Sequence, residues 1–375
     1  MLLVLIKYLQ MKTPIPYWKV KREFERLYQQ IWRVFGFFYE PFISKYHDIF
    51  FNDRVKITEG LANKKNKIAI FLIYQPNGIA SSILNTCQHL IKNGFSPFII
   101  SNLVITQEDI TVLKGVAWRV LERPNYGYDF GGYRDGIRLL KEWAIDLEYL
   151  LILNDSIWFP LSDSDDLLNQ MIQKKTDLTG TLNLVKDRNE FSDSIGFLGS
   201  YFYLISKNLY ESKYFSNFWK NYINTNNKYS VLKQGENLFT LQMMSAGFSI
   251  SFFNSYYKFS QKIKKQPNQF LFKTLVYGAY IDPDWQLEST QLIESYSASS
   301  EWRELAIHHI LKVSRKRHFH ASFSYAHLYL SDAKYIKKNN TDLFLKSRQM
   351  QLMAIAAVDL PPPIDEIAEE LRRSI

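Results

Sequence analysis

The chain has 375 residues and a formal net charge of +9, and 46% of its residues are hydrophobic while 22% are charged. This composition excludes a disordered chain and provides enough apolar residues for a large core. A single cysteine, Cys87, excludes a disulfide framework and a zinc site built from several cysteines. No apolar run approaches the roughly 20 residues that span a bilayer, and no secretory signal is recognisable. We therefore expect an intracellular protein.

The basic excess suits a nucleic acid, an anionic membrane or a phosphorylated substrate. We expect no nucleic-acid partner, because no DNA- or RNA-binding motif accompanies the charge. A basic, aromatic stretch at 18–38 has helical periodicity, and basic runs follow at 258–273 and 312–317. These segments are compatible with peripheral contact to an anionic membrane. Packing of the first helix on the core is the alternative.

Apolar strands alternate with helices between residues 67 and 160, which predicts an α/β fold with a mostly parallel central sheet flanked by helices. The predicted strands are 67–74, 97–100, 116–121 and 149–153, and the predicted helices are 80–92, 107–113 and 133–143. Such sheets bind ligands beyond the carboxyl ends of their strands. We therefore expect the site in the loops after Tyr74, Leu121 and Leu153.

The pattern changes near residue 177 and predicts a less regular continuation. Strands are expected at 178–184 and 200–205, and helices at 207–222, 235–246, 302–313 and 341–357. We expect three parts: a basic helical extension at 1–66, the α/β domain at 67–255 and a partly helical extension at 256–375. Cys87 falls in the first predicted helix of the domain, where a lone cysteine is expected to be buried.

A segment dense in glycine and polar residues, Arg123–Gly136, follows one predicted strand and opens a helix. Its glycines let the backbone approach a ligand, and the helix start offers free N–H groups to a phosphate. Arg123 and Arg134 can neutralise phosphate charge, while Asp129 and Asp135 can accept hydrogen bonds from a sugar or base. A glycine-rich turn that only redirects the chain is the alternative.

The predicted strand 149–153 ends in Asn154-Asp155-Ser156. A carboxylate at a strand tip can hold Mg²⁺ or Mn²⁺ bridging a diphosphate, because these ions prefer oxygen ligands. Asp155 is the only carboxylate of the triplet, and Asn154 and Ser156 could contribute only neutral oxygens. A turn that closes the strand is the alternative.

Glu236 follows a glycine at the predicted first turn of the helix 235–246, where a carboxylate can act as a general base. Capping of the helix dipole is the alternative. Asp193, in a polar loop, is the second candidate for the base. Five histidines lie close together in sequence without a metal-binding spacing, and surface or phosphate contacts are favoured over a metal for them; they are His308, His309, His318, His320 and His327.

Several of these blocks together resemble the rhamnan synthesis protein F family over about residues 67–250. The blocks that carry the resemblance are Arg123–Gly136, Asn154–Ser156 with Pro160, Gly199–Tyr203, Phe218-Trp219 and Gly235-Glu236. The resemblance implies a glycosyltransferase-like protein of bacterial polysaccharide and O-antigen assembly. It also implies a nucleotide-diphosphate donor, dTDP- or UDP-linked, that carries a deoxyhexose such as rhamnose. The implied acceptor is a glycan or a lipid-linked glycan.

The same blocks are more distantly similar to the inverting glycosyltransferases of GT-A type. Asn125-x-Gly127, Asn154-Asp155-Ser156 and Glu236-Asn237 occupy the positions of their motifs, but the metal triplet lacks its first Asp and the Glu-Asp pair has become Glu-Asn. The resemblance implies a GT-A-like sheet, Asp155 as the metal ligand and Glu236 as the catalytic base. The implied donor-binding residues are Tyr74, Arg123, Asn125, Gly127, Asp129, Arg134, Asp135, Asn154, Asp155 and Ser156.

We expect the enzyme in the cytoplasm, with its basic segments in contact with the inner face of the cell membrane. A non-catalytic glycan- or membrane-binding component of a polysaccharide assembly system is the competing hypothesis. Binding of a nucleotide diphosphate would distinguish the two, since a ligand at 100 times its dissociation constant adds about 2.7 kcal/mol of stability.

Overall fold

A computed structural model describes residues 39–186 and 188–375, together with the isolated positions Val20, Glu23, Phe24, Leu27 and Gly36. Most of the predicted amphipathic helix at 18–38 therefore lies outside the described residues. Residues 39–49 are helical. The edge strand Lys56–Glu59 shows that the N-terminal extension, predicted as helical, also contributes to the sheet.

The described residues form a nine-stranded sheet and a separate two-stranded pair. The strands are β1 Lys56–Glu59, β2 Lys67–Ile73, β3 Phe95–Ser101, β4 Arg119–Glu122, β5 Tyr149–Asn154, β6 Ile157–Trp158, β7 Leu178–Leu184, β8 Phe197–Leu198, β9 Phe202–Ser206, β10 Ile250–Asn254 and β11 Ile336–Lys337. The large sheet has the order β1-β4-β3-β2-β5-β9-β7-β10, with β8 paired to β7, and β11 pairs with β6. Strands β4, β3, β2, β5, β7 and β10 run in one direction, and β1, β8 and β9 run against them. The predicted α/β class with a mostly parallel sheet is confirmed.

Helices lie between the strands and dominate after β10. They are α1 Phe51–Arg54, α2 Ser81–Lys92, α3 Gln107–Val116, α4 Tyr128–Glu142, α5 Leu167–Gln173, α6 Lys207–Glu211, α7 Lys213–Asn221, α8 Lys228–Val231, α9 Leu238–Ser245, α10 Tyr256–Lys264, α11 Asn268–Val276, α12 Pro283–Glu294, α13 Ser300–Lys316, α14 Phe319–Ser322, α15 Ser324–Leu330, α16 Asp342–Ala356 and α17 Asp365–Arg373. A π-helix, Leu232–Asn237, joins α8 to α9. The predicted helix 207–222 is divided in two at Ser212, whose side chain caps α7.

Both faces of the sheet are covered, as the continuous apolar sequence of β2 predicted. Alternate residues of this strand enter two separate clusters, because successive side chains point to opposite faces. Ala69 and Phe71 pack with helices α2 and α3 and with residues of the C-terminal part, including Phe323. Ile70 and Leu72 pack with α4, α7 and α9. Cys87 is fully buried on the first face, as expected.

The C-terminal part shares the core of the α/β part. Side chains from α13, such as Ala306 and Ile310, lie in the same cluster as Phe71 of the sheet. The short strand β11 pairs antiparallel with β6, which follows the tip of β5 directly. The C-terminal part therefore reaches the edge of the sheet where a ligand site is expected. The boundaries at residues 66 and 255 stay predictions.

Candidate active site

The candidate site lies where β2, β3, β4 and β5 end at the same edge of the sheet. Asn154, the last residue of β5, connects two of the predicted motifs through its side chain. Its Nδ2 donates to Oδ2 of Asp129 at 2.8 Å, and its Oδ1 accepts from the backbone N–H and the hydroxyl of Ser156 at 3.1 and 2.6 Å. The triplet therefore forms a turn that closes β5, and the side chain of Asn154 connects this turn to the glycine-rich segment.

Asp155 ties the tip of β5 to the loop that follows β2. Its Oδ2 accepts hydrogen bonds from the backbone N–H of Tyr74 at 2.7 Å and from Nε2 of Gln75 at 2.6 Å. Burial raises the pKa of this carboxyl, while the two hydrogen bonds act in the opposite direction. Tyr74 itself is about half exposed (48%), so its aromatic ring is accessible to a ligand.

Asp129 is the second residue of α4 and is half-buried at the same edge. Burial raises its pKa to about 6, the charges of Asp155 and Glu236 add to the rise, and the charge of Lys337 opposes it. Carboxyl groups with raised pKa values in clefts are candidates for functional roles.

Glu236 does not lie at a helix start, because helical structure begins at Lys228 and continues to Ser245 through the π-helix. The expectation of a dipole-stabilised first-turn carboxylate is therefore wrong. π-helical turns often occur at functional sites. Oε1 of Glu236 instead accepts from the backbone N–H of Ser200 at 2.9 Å, within another block of the family resemblance.

The position of Glu236 depends on the glycine before it. A Cβ at Gly235 would lie 2.7 Å from the ring of Phe130, which belongs to α4. The absence of a side chain lets the π-helix approach α4 closely. Tyr133 of α4 also donates to the carbonyl oxygen of Ser200 at 3.1 Å, so α4, the β8–β9 connection and the π-helix meet here.

Two lysines that sequence reasoning missed, Lys337 and Lys338, lie at this edge. Nζ of Lys337 donates to Oγ of Ser156 at 3.3 Å and lies 3.1 Å from the ring centroid of Tyr201. Burial lowers its pKa to about 7, although the charges of Glu236 and Asp129 act in the opposite direction. No signal in the sequence placed them there, because the pairing of β11 with β6 joins segments about 180 residues apart.

Three charged residues predicted to bind the donor form hydrogen bonds and ion pairs within the protein instead. Arg123 donates to Asp135 Oδ2 at 2.6 Å, and also to the side chain of Asn102 and the carbonyl of Tyr126. Asp135 is fully buried, and its pKa is lowered, because the Arg123 and His47 side chains outweigh the effect of burial. Arg134 donates to both carboxyl oxygens of Asp48 and to the carbonyl of Trp219. These groups hold the Gly-rich loop and α4 in place.

The remaining predicted residues are dispersed. Asn125 is exposed at the loop. Gly127 has a positive φ of 86° at the N-cap of α4, and its N–H donates to Asn226 Oδ1 at 2.9 Å. Asp193 accepts from the hydroxyl of Ser255 at 2.5 Å and lies 4.0 Å from Nζ of Lys258, beyond the end of β10. No contact with Glu236 or Asp129 brings Asp193 to the site.

The histidines have mixed environments. His308 and His318 are exposed, as predicted, but His309 and His327 are buried and His320 is half-buried. Burial lowers the pKa of His327 to about 3. These rings are parts of the packing rather than surface groups.

A divalent cation at Asp155 requires several oxygen ligands with free lone pairs. Within residues 39–186 and 188–375, no group of three His, Cys, Asp or Glu could hold a metal ion. The amide oxygen of Asn154 and one oxygen of Asp155 already accept two hydrogen bonds each. Two lysines lie at the same edge: the ammonium of Lys337 contacts the hydroxyl of Ser156, and the positive charge of Lys338 acts on Asp155. The donor set therefore does not fit a resident Mg²⁺ or Mn²⁺.

The basic runs considered for membrane contact are largely paired. Lys262, Lys264, Lys273 and Lys312 each form an ion pair with a carboxylate at 3.0 Å or less. In the part of the chain that the structure describes, no helix combines the length and the apolar character needed to cross a bilayer.

Comparison with known proteins supports the motif-based interpretation. Residues 98–278 match the model of the family described as rhamnan synthesis protein F. A curated relative, the uncharacterised protein y4gN of Sinorhizobium fredii (strain NBRC 101917 / NGR234), is 33% identical over 195 residues, which are 52% of this chain and 50% of the relative. The chain thus spans about half the length of the curated relative that it matches.

Distant likenesses of fold are found among solved structures. Core-mannan synthase A of Aspergillus fumigatus, in its Mn/GDP form, is 10% identical with a TM-score of 0.31, over 52% of this chain and 74% of that one. A mannosyltransferase of Pyrobaculum calidifontis in complex with GDP-Man and Mn²⁺ is 8% identical with a TM-score of 0.31, over 92% and 89%. At these TM-scores the likenesses are too remote to support any residue's role. Over residues 98–278, the chain matches the rhamnan synthesis protein F family that its sequence motifs predicted.

Proposed function

We propose that this protein is a glycosyltransferase of GT-A type that transfers a sugar from a nucleotide-diphosphate donor to a glycan or lipid-linked glycan. The observation that carries the proposal is the meeting of separate family motifs at the carboxyl edge of parallel strands. There Asn154 contacts Asp129, and Glu236 contacts Ser200. Ligands of α/β sheets bind at such an edge. We further propose a deoxyhexose such as rhamnose as the sugar, which the family's description as a rhamnan synthesis protein supports. Its proposed carrier is dTDP or UDP, and the proposed product is a cell-surface polysaccharide such as an O-antigen.

The proposed reaction is a single displacement that inverts the anomeric carbon. An acceptor hydroxyl attacks this carbon while Glu236 takes the hydroxyl proton. The bond from the anomeric carbon to the diphosphate oxygen breaks, and its electron pair stays on the departing diphosphate. Asp129, Asn154 and Asp155 are the proposed contacts to hydroxyl groups of the donor. Asp193 is the second candidate for the base, but its contacts lie with Ser255 and Lys258.

A non-catalytic component of a polysaccharide assembly system is the competing function. It is favoured by the internal use of Arg123 and Arg134, which leaves neither arginine free to bind a phosphate. A carbohydrate-binding role would need the exposed aromatic and polar groups of the edge but no bound nucleotide.

Peripheral association with an anionic membrane is the proposed location, and it rests on the basic stretch at 18–38 more than on the paired lysines of α10 to α13. Sedimentation with vesicles containing anionic lipid, compared at low and high salt, tests it because screening weakens such attraction. Absence of sedimentation at low salt would contradict this location.

A donor screen tests the proposed activity. The full chain is incubated with single nucleotide sugars and a lipid-linked glycan acceptor, and the products are analysed by mass spectrometry. A parallel thermal-unfolding series contains dTDP, UDP, or neither nucleotide. We expect a mass increase of one sugar residue with one donor and a raised midpoint with the matching nucleotide. Neither product nor stabilisation with any nucleotide would favour the non-catalytic role.

A further inference from the structure

The segment that contains β11 is fixed to the tip of β5 by backbone pairing. Lys337 pairs with Ile157 in the antiparallel register, and the backbone N–H of Lys338 donates to the carbonyl oxygen of Ser156 at 2.8 Å. These bonds hold two consecutive lysines against the Asn154–Ser156 turn. Their position is thus set by the fold and not by flexible side chains reaching in from the surface.

The ammonium of Lys337 is the less compensated of the two. Lys337 is half-buried, and the neighbours of its ammonium are the hydroxyl of Ser156 and the ring of Tyr201. No carboxylate oxygen of the described residues lies within 4.0 Å of this ammonium. A buried cation without a paired anion is unfavourable. An anionic ligand at this edge would supply the missing partner.

The ammonium of Lys338 is oriented toward the same edge by its own partners. It donates to the hydroxyl of Ser82 at 3.0 Å and lies 3.6 Å from Oε2 of Glu370. Glu370 is itself held by the backbone N–H and hydroxyl of Ser82 and by the indole of Trp158, at 2.7 to 2.8 Å. Burial lowers the pKa of Lys338, and the negative charges of Glu370 and Asp155 both act in the opposite direction.

These contacts fix two lysine side chains at the edge where the donor set does not suit a divalent cation. We propose that Lys337, assisted by Lys338, binds the diphosphate of the nucleotide-sugar donor and supplies the positive charge that a metal ion would otherwise supply. This inference rests on the proposed sugar transfer. When the anomeric bond breaks, negative charge grows on the departing diphosphate oxygen, and a fixed ammonium beside it stabilises that charge. No metal or other co-reactant is needed for the balance.

The test compares nucleotide binding with and without a second phosphate. Titration calorimetry of the full chain in EDTA measures UDP against UMP and dTDP against dTMP, and the titrations are repeated with Mg²⁺ or Mn²⁺. We expect diphosphate binding in EDTA that the metal ions strengthen by less than about threefold. We also expect Lys337→Gln to weaken diphosphate binding by about 10- to 100-fold while leaving monophosphate binding within about threefold.

Two further variants control for charge and for nonspecific effects. Lys337→Arg retains the positive charge and should recover most of the affinity. Lys334→Gln removes an exposed lysine of the same segment and should bind as the unmodified protein does. Diphosphate binding that requires Mg²⁺ or Mn²⁺, or that survives Lys337→Gln unchanged, would overturn the inference while leaving sugar transfer intact. If the unmodified protein binds no nucleotide under any of these conditions, the proposed function fails together with this inference.

Discussion

At the residue scale, the half-buried carboxyl of Asp129 destabilises the folded protein at neutral pH. Its pKa is raised to about 6 from 3.8, so the folded chain binds this proton more tightly than the unfolded chain does. Stability therefore falls as pH rises from about 4 to about 6, and the full penalty remains at higher pH. A side chain that destabilises the fold at neutral pH is expected where ligand binding requires it.

The variant Asp129→Asn tests this destabilisation. Its free energy of unfolding, relative to the unmodified protein, should be higher at pH 8 than at pH 4 by on the order of 2 kcal/mol, because the amide has no ionisation penalty. Denaturant titrations at both pH values measure it. An equal difference at the two pH values would show that folding does not raise the pKa of this carboxyl.

The ammonium of Lys337 gives a second pH-dependent prediction. With a pKa lowered to about 7, it is mostly neutral at pH 8 in the free protein. A bound diphosphate would favour the charged form, so binding of UDP or dTDP at pH 8 should take up a proton, whereas binding at pH 6 should take up almost none. Calorimetry in buffers of different ionisation enthalpy measures this uptake. Binding heats at pH 8 that do not depend on the buffer would contradict the prediction.

At the scale of elements, the glycines of α4 serve packing more than ligand approach. The sequence predicted this helix from residue 133, but it begins at Tyr128, so Gly131, Gly132 and Gly136 lie inside it. A Cβ at Gly132 would lie 2.4 Å from Leu72, and one at Gly136 would lie 2.3 Å from Ile100. The absence of side chains therefore brings α4 close to β2 and β3 and fixes Asp129 at the strand tips.

Substitution of Gly131 tests this role. A Cβ there would lie 2.2 Å from the carbonyl oxygen of Tyr126, which also accepts a hydrogen bond from Arg123. We expect Gly131→Ala to lower the free energy of unfolding by about 1–3 kcal/mol, as overpacking usually does. Gly115→Ala is the matched control, since nothing lies within 4 Å of its Cβ position in α3. That variant should be neutral or stabilise the protein by up to about 1 kcal/mol. Equal effects of the two changes would contradict the packing role.

The elements also show what local sequence could and could not predict. The strands β2, β5 and β7 were predicted to within one residue at each end, because each is a buried run with clear boundaries. The start of the helix around Glu236 was misplaced, because Gly235 looked like a helix boundary. Its real role depends on the ring of Phe130, about 100 residues away. The periodicity of a sequence cannot predict contacts between residues so far apart in the chain.

At the scale of the whole molecule, the candidate site is assembled from both halves of the chain. The family match ends at residue 278, but Lys337 and Lys338 lie beyond it and contact the tip of β5. The strand tips and the motif residues Asp129, Asn154 and Glu236 could be predicted from the sequence. The lysines could not, because only the completed fold pairs β11 with β6. We therefore expect the C-terminal part to be required for nucleotide binding and not only for stability.

Glu236 provides the most direct test of the central claim that the chain transfers a sugar at this edge with Glu236 as the base. Single-turnover transfer is measured for the unmodified protein and for Glu236→Gln, which keeps the shape and the hydrogen bond from Ser200 but removes the basicity. Asp193→Asn is measured beside it, because Asp193 is the second candidate for the base but contacts Ser255 and Lys258 rather than the residues at the strand tips. We expect Glu236→Gln to slow transfer by about 10²- to 10⁴-fold with donor binding retained, and Asp193→Asn to have little effect. Transfer at the unmodified rate by Glu236→Gln would contradict the account.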